Sequence, residues 1–360
     1  MRLPVTDLSN LAMGLALCVG FIVALFVGSL LVPGKKQKGA ELEDGERLTY
    51  RLNGLPLFLV LVGTLAAGWY LEVVDLTLVP EHFWGLFVAA NLVSVVMTGW
   101  LYLRGTDRQR GVRGLVQDLW YGVELNPRLA GIDIKMFSYR PSLMGLAVIN
   151  ASFAALQYEQ LGYLTTQMWL YQAFTFVYVF NYFQFEYGML HTWDIVAEKF
   201  GFMLVWGDYA FVPFAYSIVG WYLVDHTEPL PVWATAALPV MFALGLWIFR
   251  GANQQKHEFK RNRDVRIWGK KAEALDGKIL VSGFWGIGRK LNYTGEIMVY
   301  WSFTLLSGDS SFVPYLLPSW LICLLVHRAW RDDRRCRAKY GELWERYCAR
   351  ARFKMVPFVY

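Results

Sequence analysis

The segment LSNLAMGLALCVGFIVALFVGSLLV, residues 8–32, is almost entirely apolar, and it decides the class of fold. A helix needs roughly 20 consecutive apolar residues to cross a bilayer. The segment is too long for the apolar core of a secretory signal and lacks a cleavage site of small residues, so we interpret it as a first transmembrane span. Hydrophobic residues make up 56% of the 360 residues, which is more than a soluble domain carries.

The remaining apolar runs predict an all-α, polytopic integral membrane protein with nine or ten transmembrane helices. The last run, 297–327, is interrupted by the polar residues 307–311 and is compatible with two short spans in a hairpin. A tenth segment, 279–287, is short and glycine-rich, so a re-entrant or interfacial segment is an equal alternative. The nine clear spans are 8–32, 55–74, 83–103, 142–161, 163–185, 200–224, 231–249 and the two halves of 297–327.

The distribution of lysine and arginine predicts the topology. Nine spans with a cytoplasmic C-terminus and an external N-terminus place every basic loop on the inside. We therefore expect a multi-pass protein of a bacterial inner membrane or of the endoplasmic reticulum. The basic loops are 33–54, 104–141, 251–296 and 328–360, whereas 75–82 and 225–231 contain no lysine or arginine.

The composition also excludes several classes of site. The net charge of +6 is modest and its basic residues cluster in loops, which indicates topology or anionic ligands rather than nucleic acid. The four cysteines form no CxxC pair, and the five histidines are scattered. We therefore predict neither a metal site nor a disulfide framework.

The C-terminal segment HRAWRDDRRCRAKYGELWERYC, residues 327–348, carries more than a topology signal. Helical spacing puts Asp332, Cys336, Lys339 and Tyr340 on nearby faces, with Tyr347 two turns beyond Tyr340. Arginine is well suited to bind phosphate, a carboxylate accepts hydrogen bonds from ribose or adenine, and tyrosine stacks on rings. These groups are typical of a phosphate-bearing dinucleotide site, but they do not specify the nucleotide.

Two lysines in the preceding basic loop have the spacing of an anion site. Lys256 and Lys260 lie one helical turn apart and share a face. Ordinary positive-inside charge is the alternative. The glycines at 283, 286 and 288 follow a GxxGxG pattern without a surrounding βαβ unit, so we predict no Rossmann domain.

A polar cluster between and within the predicted spans 163–185 and 200–224 contains the carboxylates Glu186, Asp194, Glu198 and Asp208. Carboxylates at membrane depth are costly and usually face a cavity or a partner. Any one of them is compatible with a structural hydrogen bond or an interfacial position. As a cluster, they predict the lining of a polar or substrate pocket.

Several motifs resemble those of one family. The motifs are GVELNPR (122–128), TWDI (192–195), FGFML (200–204) with GD (207–208), LNYTGE (291–296), and HRAWRD (327–332) followed by CRAKYGELW (336–344). The chain resembles the sterol reductase family, which includes delta-14 sterol reductases, the reductase domain of lamin B receptor and 7-dehydrocholesterol reductase. The resemblance covers most of the chain, and its C-terminal motif is long and chemically unusual.

The resemblance implies reduction of a carbon–carbon double bond in a sterol nucleus, with NADPH as the cofactor. It implies a catalytic region at 142–360, holding the NADPH and sterol pockets and continuous with N-terminal helices and basic loops at 1–141. Relatives tend to have arginine where this chain has Lys260, so Lys260 or the adjacent Arg261 holds the phosphate. The implied cofactor contacts are Lys256, Lys260, Arg261, Leu280, Trp285, Asn292, Tyr293, Asp332, Cys336, Arg337, Ala338, Lys339, Tyr340 and Tyr347.

The runs at 200–204 and 212–217 look more like the delta-14 enzymes, with delta-7 reduction as the alternative. An isolated alkene accepts hydride poorly, so protonation at C15 precedes hydride addition at C14. The site therefore needs a buried acid, since burial keeps a carboxyl group protonated at neutral pH. The candidate proton donors or relays are Glu186, Asp194, Asp208 and Tyr293.

Two other functions remain compatible with parts of the sequence. A prenylcysteine-type membrane methyltransferase, which binds S-adenosylmethionine, resembles this family in its C-terminal part only. The stretch Asn292–Gly295 and the full-length match argue against it. A non-catalytic sterol-binding protein is the second alternative. The expected partners are a sterol from the bilayer, NADPH and membrane lipid, with no nucleic acid.

Overall fold

A computed structural model describes residues 8–42, 45–106, 110–111, 113–308 and 311–359 of the chain. The described residues are predominantly helical, with short two-stranded sheets, which confirms the all-α class. The chain forms two compact units, one extending to Thr227 and the other beginning at Glu228.

The first unit is built from eleven helices and two small hairpins. Its helices are α1 (Leu8–Leu31), α2 (Gly54–Tyr70), α3 (Leu78–Glu81), α4 (Phe83–Arg104), α5 (Leu115–Tyr121), α6 (Ile134–Leu161), α7 (Thr166–Gln184), α8 (Trp193–Val196), α9 (Phe202–Trp206), α10 (Val212–Ala215) and α11 (Ile218–Asp225). Its strands are β1 (Lys35–Lys38), β2 (Thr49–Leu52), β3 (Arg128–Leu129) and β4 (Ile132–Asp133), paired antiparallel as β1–β2 and β3–β4. A 3₁₀ helix, Glu186–His191, follows α7.

Among the described residues, four helical segments are long and apolar enough to cross a membrane, which agrees with a polytopic membrane protein. They are α1, α4, the segment Phe202–Asp225 and Val232–Arg261 in the second unit. The predicted spans at 55–74, 142–161 and 163–185 correspond to helices α2, α6 and α7.

Small residues let α1 and α4 approach closely. A Cβ atom at Gly14 would lie 2.3 Å from the carbonyl carbon of Gly85. Lipid tails give helices no hydrophobic reason to associate, so close contact at small residues supplies the packing energy instead.

The span predicted at 200–224 is helical but not regular. Between α9 and α10 the residues Gly207–Phe211 form a π-helical turn, and Pro213 lies at the start of α10. Proline lacks the amide hydrogen that an α-helical ladder needs, and π-turns of this kind are frequent at functional sites. The turn contains Asp208, which is buried.

Two of the sequence motifs meet at a glycine contact. A Cβ atom at Gly201 would lie 2.1 Å from the amide nitrogen of Gly122, and Gly122 has a φ of +84°. The backbone of Phe200 also donates a hydrogen bond to the carbonyl oxygen of Glu124, at 2.9 Å. The motifs at 122–128 and 200–204 are therefore joined by backbone contact, which only glycine permits at these two positions.

The second unit contains five helices and two short hairpins. Its helices are α12 (Val232–Arg261), α13 (Phe284–Ile287), α14 (Leu291–Thr304), α15 (Leu316–Tyr340) and α16 (Glu342–Arg350). Its strands are β5 (Arg266–Ile267), β6 (Lys270–Lys271), β7 (Ala274–Leu275) and β8 (Ile279–Leu280), paired as β5–β6 and β7–β8. Short 3₁₀ helices, Leu305–Ser307 and Val313–Tyr315, lie between α14 and α15.

The structure decides between the alternatives for 279–287 and supports the hairpin at 297–327. Residues 279–287 form strand β8, a turn and the four-residue helix α13, so a tenth span there is wrong. Glycines at 283, 286 and 288 prevent a long helix because each lowers helix propensity. The apolar run 297–327 is divided between α14 and α15, as expected, although Asp309 and Ser310 lie outside the described residues.

Helices α12 and α14 form the central pair of the second unit through two glycines. A Cβ atom at Gly295 would lie 2.5 Å from both the carbonyl oxygen of Gly245 and the amide nitrogen of Phe249. A Cβ atom at Gly245 would lie 2.9 Å from the carbonyl oxygen of Gly295. The glycine in the motif LNYTGE therefore sets the separation of the two helices.

We expect Gly295→Ala to force α14 away from α12, because backbone atoms rather than flexible side chains meet the new methyl group. Overpacking of this kind costs about 1–3 kcal/mol, so the midpoint of thermal unfolding in detergent should fall. Gly99→Ala is the matched control, since a Cβ at Gly99 in α4 meets nothing within 4 Å. An equal effect of the two substitutions would contradict the packing argument.

Candidate cofactor site and buried carboxylates

The α12–α14 contact brings the first turn of α14 beside the last turns of α12. The side-chain amide of Asn292 donates a hydrogen bond to the Oδ1 atom of Asn253, at 3.3 Å. The Oδ1 atom of Asn292 itself is buried and has no hydrogen-bond partner among the described residues. Buried polar groups are normally paired, so this oxygen is an acceptor that a ligand with a donor group would satisfy.

Trp285 is held rigidly beside α12. Its ring nitrogen donates to the carbonyl oxygen of Ala252 at 2.7 Å, and its own carbonyl oxygen accepts from the hydroxyl of Tyr347 at 3.0 Å. The ammonium nitrogen of Lys256 lies 4.6 Å from the centroid of the Trp285 ring. The Trp285 ring therefore attracts the Lys256 ammonium through a cation–π interaction. The hydrogen bonds to Ala252 and Tyr347 fix the position of Trp285.

An ion pair lies next to this arrangement. The ammonium of Lys290 forms a short contact with the Oδ2 atom of Asp332 in α15, and it lies 5.9 Å from the centroid of the Tyr293 ring. The thiol of Cys336 lies 3.8 Å from the same Asp332 oxygen. Burial opposes ionisation of Asp332, but Lys290, Lys256 and Arg335 together outweigh burial, so the pKa of Asp332 is below its ordinary value.

Cations outnumber carboxylates around Asp332. Lys256 interacts electrostatically with Lys290 and Lys260, and also with Asp332. Lys260 in turn interacts with Lys339 of α15. Lys290 and Lys256 thus act on Asp332, while Lys260 and Lys339 add further positive charge nearby, and this environment favours a ligand with several negative charges.

The predicted cofactor residues fall into three groups. Lys256, Lys260, Trp285, Asn292, Tyr293, Asp332, Cys336 and Lys339 are brought together by these contacts. Leu280 and Tyr347 belong to neighbouring apolar clusters, where Leu280 packs near Trp285 and Tyr347 near Tyr340. Arg261 is exposed at the end of α12, Ala338 is exposed, and Arg337 is exposed and paired with Glu345 at 3.3 Å.

Two residues of this site were not identified from the sequence. Lys290 immediately precedes the motif LNYTGE, and Asn253 lies on the same helical face as Lys256 and Lys260, at positions i, i+3 and i+7. The helical spacing could have identified Asn253. No sequence pattern pairs Lys290 with Asp332, because they are far apart in the chain.

Both carboxylate oxygens of Glu186 in the first unit accept hydrogen bonds. Its Oε1 atom accepts from Arg140 at 3.3 Å, and its Oε2 atom accepts from the backbone amide of Gly54 at 3.0 Å. Both side chains of the pair are buried, at 5% and 4% exposure for Glu186 and Arg140. These contacts join the start of α2, the end of α7 and α6, which is a structural role.

The buried side chain of Lys135 holds the segment that contains Asp194 through hydrogen bonds to its backbone. The Lys135 ammonium donates to the carbonyl oxygens of Asp194 at 2.6 Å, Ile195 at 3.1 Å and Glu198 at 2.7 Å. The ammonium satisfies three carbonyl groups around the short helix α8. The side chain of Asp194 is half-buried.

Asp208 differs from Glu186 in its lack of a bonded partner among the described residues and from Asp194 in its burial. Its residue is 8% exposed within the π-helical turn, and it interacts electrostatically with Asp194 and Lys135. Its carboxyl group makes no hydrogen bond and no ion pair with another residue in the described part of the chain. Asp208 is therefore the one of the three that is a buried residue without a hydrogen-bonded or ion-paired carboxyl group. Tyr293, the fourth candidate, lies in the second unit beside Lys290.

Comparison with known proteins decides the family. The sequence profile of the ergosterol biosynthesis ERG4/ERG24 family matches residues 10–360. The chain belongs to this family. The match confirms the resemblance that the motifs indicated, and it extends over both structural units.

Curated relatives are similar over most of their length. A protein of Arabidopsis thaliana named Delta(14)-sterol reductase is 41% identical over 350 residues, which is 95% of each chain. A Delta(14)-sterol reductase of Methylotuvimicrobium alcaliphilum is 39% identical over 95% of this chain and 83% of its own. A mimivirus protein named probable 7-dehydrocholesterol reductase is 31% identical over 88% of this chain and 74% of its own.

We expect Lys290→Met to lower the free energy of unfolding by about 1–2 kcal/mol at neutral pH, because Asp332 loses its ion-pair partner. A carboxylate with a depressed pKa stabilises the fold above its unfolded pKa of about 3.9, and this contribution is lost as the pH falls through the folded-state pKa. The difference between Lys290→Met and the wild-type chain should therefore begin to shrink near about pH 4 and disappear only once the pH is below the folded-state pKa of Asp332. Thermal unfolding in detergent across this pH range measures it.

Arg337→Met is the matched control for this experiment. Arg337 and Glu345 form an exposed pair at 3.3 Å, with both side chains more than half exposed, and exposed pairs contribute little. A loss of stability for Lys290→Met that stays constant from neutral to acidic pH would show that packing, and not the Asp332 pair, is responsible.

Proposed function

We propose that this protein is an oxidoreductase that reduces the C14–C15 double bond of a sterol nucleus. The observation that supports this most strongly is the near full-length similarity to proteins named Delta(14)-sterol reductase in a plant and a bacterium. Delta-7 reduction is the second candidate, since the mimivirus relative has a delta-7 name at lower identity.

The proposed cofactor is NADPH, and the second unit has groups that fit it. NADPH supplies a hydride to the substrate when it is bound. The converging ammonium groups of Lys256, Lys260 and Lys339 match its phosphates, and the buried Oδ1 atom of Asn292 matches a carboxamide donor. Trp285 and Tyr293 offer ring faces for stacking.

Each residue then has a proposed role in binding. Lys256 and Lys260, with Arg261 as the alternative to Lys260, neutralise phosphate charge. Asp332 accepts hydrogen bonds from a ribose or adenine group, and Lys290 keeps it ionised and oriented. Tyr347 holds Trp285 in place by a hydrogen bond to its carbonyl oxygen, and the Trp285 ring is anchored to Ala252. The remaining proposed contacts are Leu280, Asn292, Tyr293, Cys336, Arg337, Ala338, Lys339 and Tyr340.

We propose Asp208 as the proton donor. Protonation of the alkene at C15 forms a carbon–hydrogen bond from the alkene electron pair and leaves a tertiary cation at C14, which hydride then quenches. Burial favours the protonated form of a carboxyl group, which is the form that donates. Glu186 is committed to Arg140 and Gly54, whereas Asp208 has no such partner. Asp194 and Tyr293 remain proposed relays.

The protein is membrane-embedded, and the proposed substrate is a sterol drawn from the bilayer. We propose a cytoplasmic C-terminus, because the basic segment 328–360 would then lie on the inner side. The catalytic region is proposed to be 142–360, continuous with the N-terminal helices in 1–141. The location is a bacterial inner membrane or the endoplasmic reticulum.

The reaction is tested by expressing the chain in a strain that lacks delta-14 sterol reductase. We expect the delta-8,14 diene to disappear and the 14,15-saturated sterol to accumulate, as measured by gas chromatography with mass spectrometry. Persistence of the diene despite membrane expression would overturn the delta-14 proposal. A gain of product in a delta-7-deficient strain instead would favour the second candidate.

The cofactor is tested by calorimetric titration of the purified protein with NADPH. We expect Lys256→Ala to weaken binding about tenfold or more, because a charge-assisted contact is worth about 1.5–3 kcal/mol. Lys278→Ala, at an exposed position in the same unit, is the control. Saturable binding of S-adenosylmethionine without binding of NADPH would favour the methyltransferase alternative instead.

The proton donor is tested by Asp208→Asn, with Glu186→Gln for comparison. We expect Asp208→Asn to reduce kcat by about 10²-fold or more, since general acid catalysis contributes that much, while NADPH affinity stays unchanged. Glu186→Gln should instead reduce stability, because Arg140 would be left buried without its partner. Full activity of Asp208→Asn would assign the proton to another group.

A further inference from the structure

A cavity of about 100 Å³ lies in the first unit, among residues that none of the proposed catalytic steps uses. It is bounded by the end of α1, the hairpin strand β2, the start of α2 and the first turns of α6 with the β3–β4 turn. Its lining residues are Ser29, Leu30, Thr49, Tyr50, Arg51, Asn53, Ala130, Gly131, Ile132, Asp133, Met136, Phe137 and Arg140.

Two deeply buried side chains in this lining have unused polar atoms. Arg140 is 4% exposed, and its Nε atom has no hydrogen-bond partner among the described residues, although its terminal nitrogens contact Ser29 and Glu186. Asn53 is 1% exposed, and its Oδ1 atom likewise has no partner within the described chain. The Asn53 amide nitrogen donates to the carbonyl oxygens of Ser29 and Val32, which fixes the orientation of the amide.

These two atoms define the chemistry of a complementary ligand. The Nε–H of Arg140 is a charged donor and needs an acceptor, whereas the Oδ1 of Asn53 is an acceptor and needs a donor. A simple anion would satisfy only the first atom. A ligand that has both an anionic oxygen and a hydroxyl group would satisfy both.

The charges around the cavity leave a surplus cation. Glu186 balances Arg140, and the carboxylate of Asp133 interacts with Lys135 and Arg128. Both Asp133 oxygens also accept hydrogen bonds, from the Met136 amide at 2.9 Å and from Asn126 at 3.2 Å. Arg51 lines the cavity without an ion pair to any described residue, and its guanidinium donates to the carbonyl oxygen of Leu30 at 3.0 Å.

One wall of the cavity belongs to a membrane-spanning helix. Leu30 lies in the last turn of α1 and is 38% exposed, next to Leu31 at 76%. The chain then enters the basic strand β1, which is at a predicted membrane surface. Acyl chains along α1 and a polar headgroup in the cavity would be compatible with this arrangement.

We propose that this cavity binds a phosphate ester that carries a free hydroxyl group, as in the headgroup of a glycerol-bearing anionic phospholipid. The phosphate oxygens accept from Arg140 and Arg51, and the hydroxyl donates to Asn53. The cavity is lined by first-unit residues alone, whereas the proposed cofactor residues belong to the second unit. The lipid headgroup would then contact the end of α1 and the starts of α2 and α6.

Native mass spectrometry of the delipidated protein in detergent tests this proposal. The probes are phosphatidylglycerol, phosphatidylcholine and soluble glycerol 3-phosphate. We expect phosphatidylglycerol to bind at least several-fold more tightly than phosphatidylcholine, because only the former offers both hydroxyl groups and a net negative charge. Retention of phosphatidylglycerol but not glycerol 3-phosphate would assign the site to a lipid, and comparable binding of both would assign it to a soluble ester.

Two variants make the assignment specific to the cavity. Arg51→Gln should weaken phosphatidylglycerol binding about tenfold through loss of a charged donor, and Leu30→Trp should weaken it because the larger side chain occupies part of the cavity that Leu30 lines. Arg47→Gln, at an exposed pair with Glu41 in the same loop, is the control. Equal binding of both phospholipids, no binding of any probe, or wild-type affinity in both cavity variants would overturn the proposal.

Discussion

The close approach of α12 and α14 at Gly245 and Gly295 is the constraint on which the second unit depends. It places Asn292 against Asn253 and brings the lysine face of α12 beside the first turn of α14. A side chain at either glycine would separate two backbones that are within van der Waals contact. The glycine of the LNYTGE motif is thus a packing residue, and the polar residues before it are the ones that face the proposed cofactor site.

Charge balance gives that site its chemical character. Lys290 neutralises Asp332, and the remaining ammonium groups of Lys256, Lys260 and Lys339 have no equivalent carboxylate close by in the described structure. A cluster of like charges destabilises a fold unless a ligand compensates for it. A cofactor with several phosphate charges would supply that compensation, so binding and stability of this region are expected to be coupled.

The first unit shows how similar residues acquire different roles. Glu186 and Asp208 are both buried residues, one directly after a predicted span and one within the next, and the sequence does not tell which of them is ion-paired. Glu186 forms an ion pair with Arg140 and accepts a hydrogen bond from the Gly54 amide, whereas Asp208 lies in a π-helical turn without such partners. The environment of each group, and not its residue type, separates an ion pair that holds helices together from a candidate acid.

The sequence by itself determined that the chain is a polytopic helical membrane protein of the sterol reductase family, because hydropathy and contiguous motifs are local properties. It also predicted residues within those motifs that the tertiary structure brings together at the proposed cofactor site. It could not determine that 279–287 turns back as a strand and a short helix, or that Lys290 pairs with Asp332 and Lys135 holds the Asp194 segment. Those outcomes depend on contacts between residues distant in the chain, and only the tertiary structure decides them.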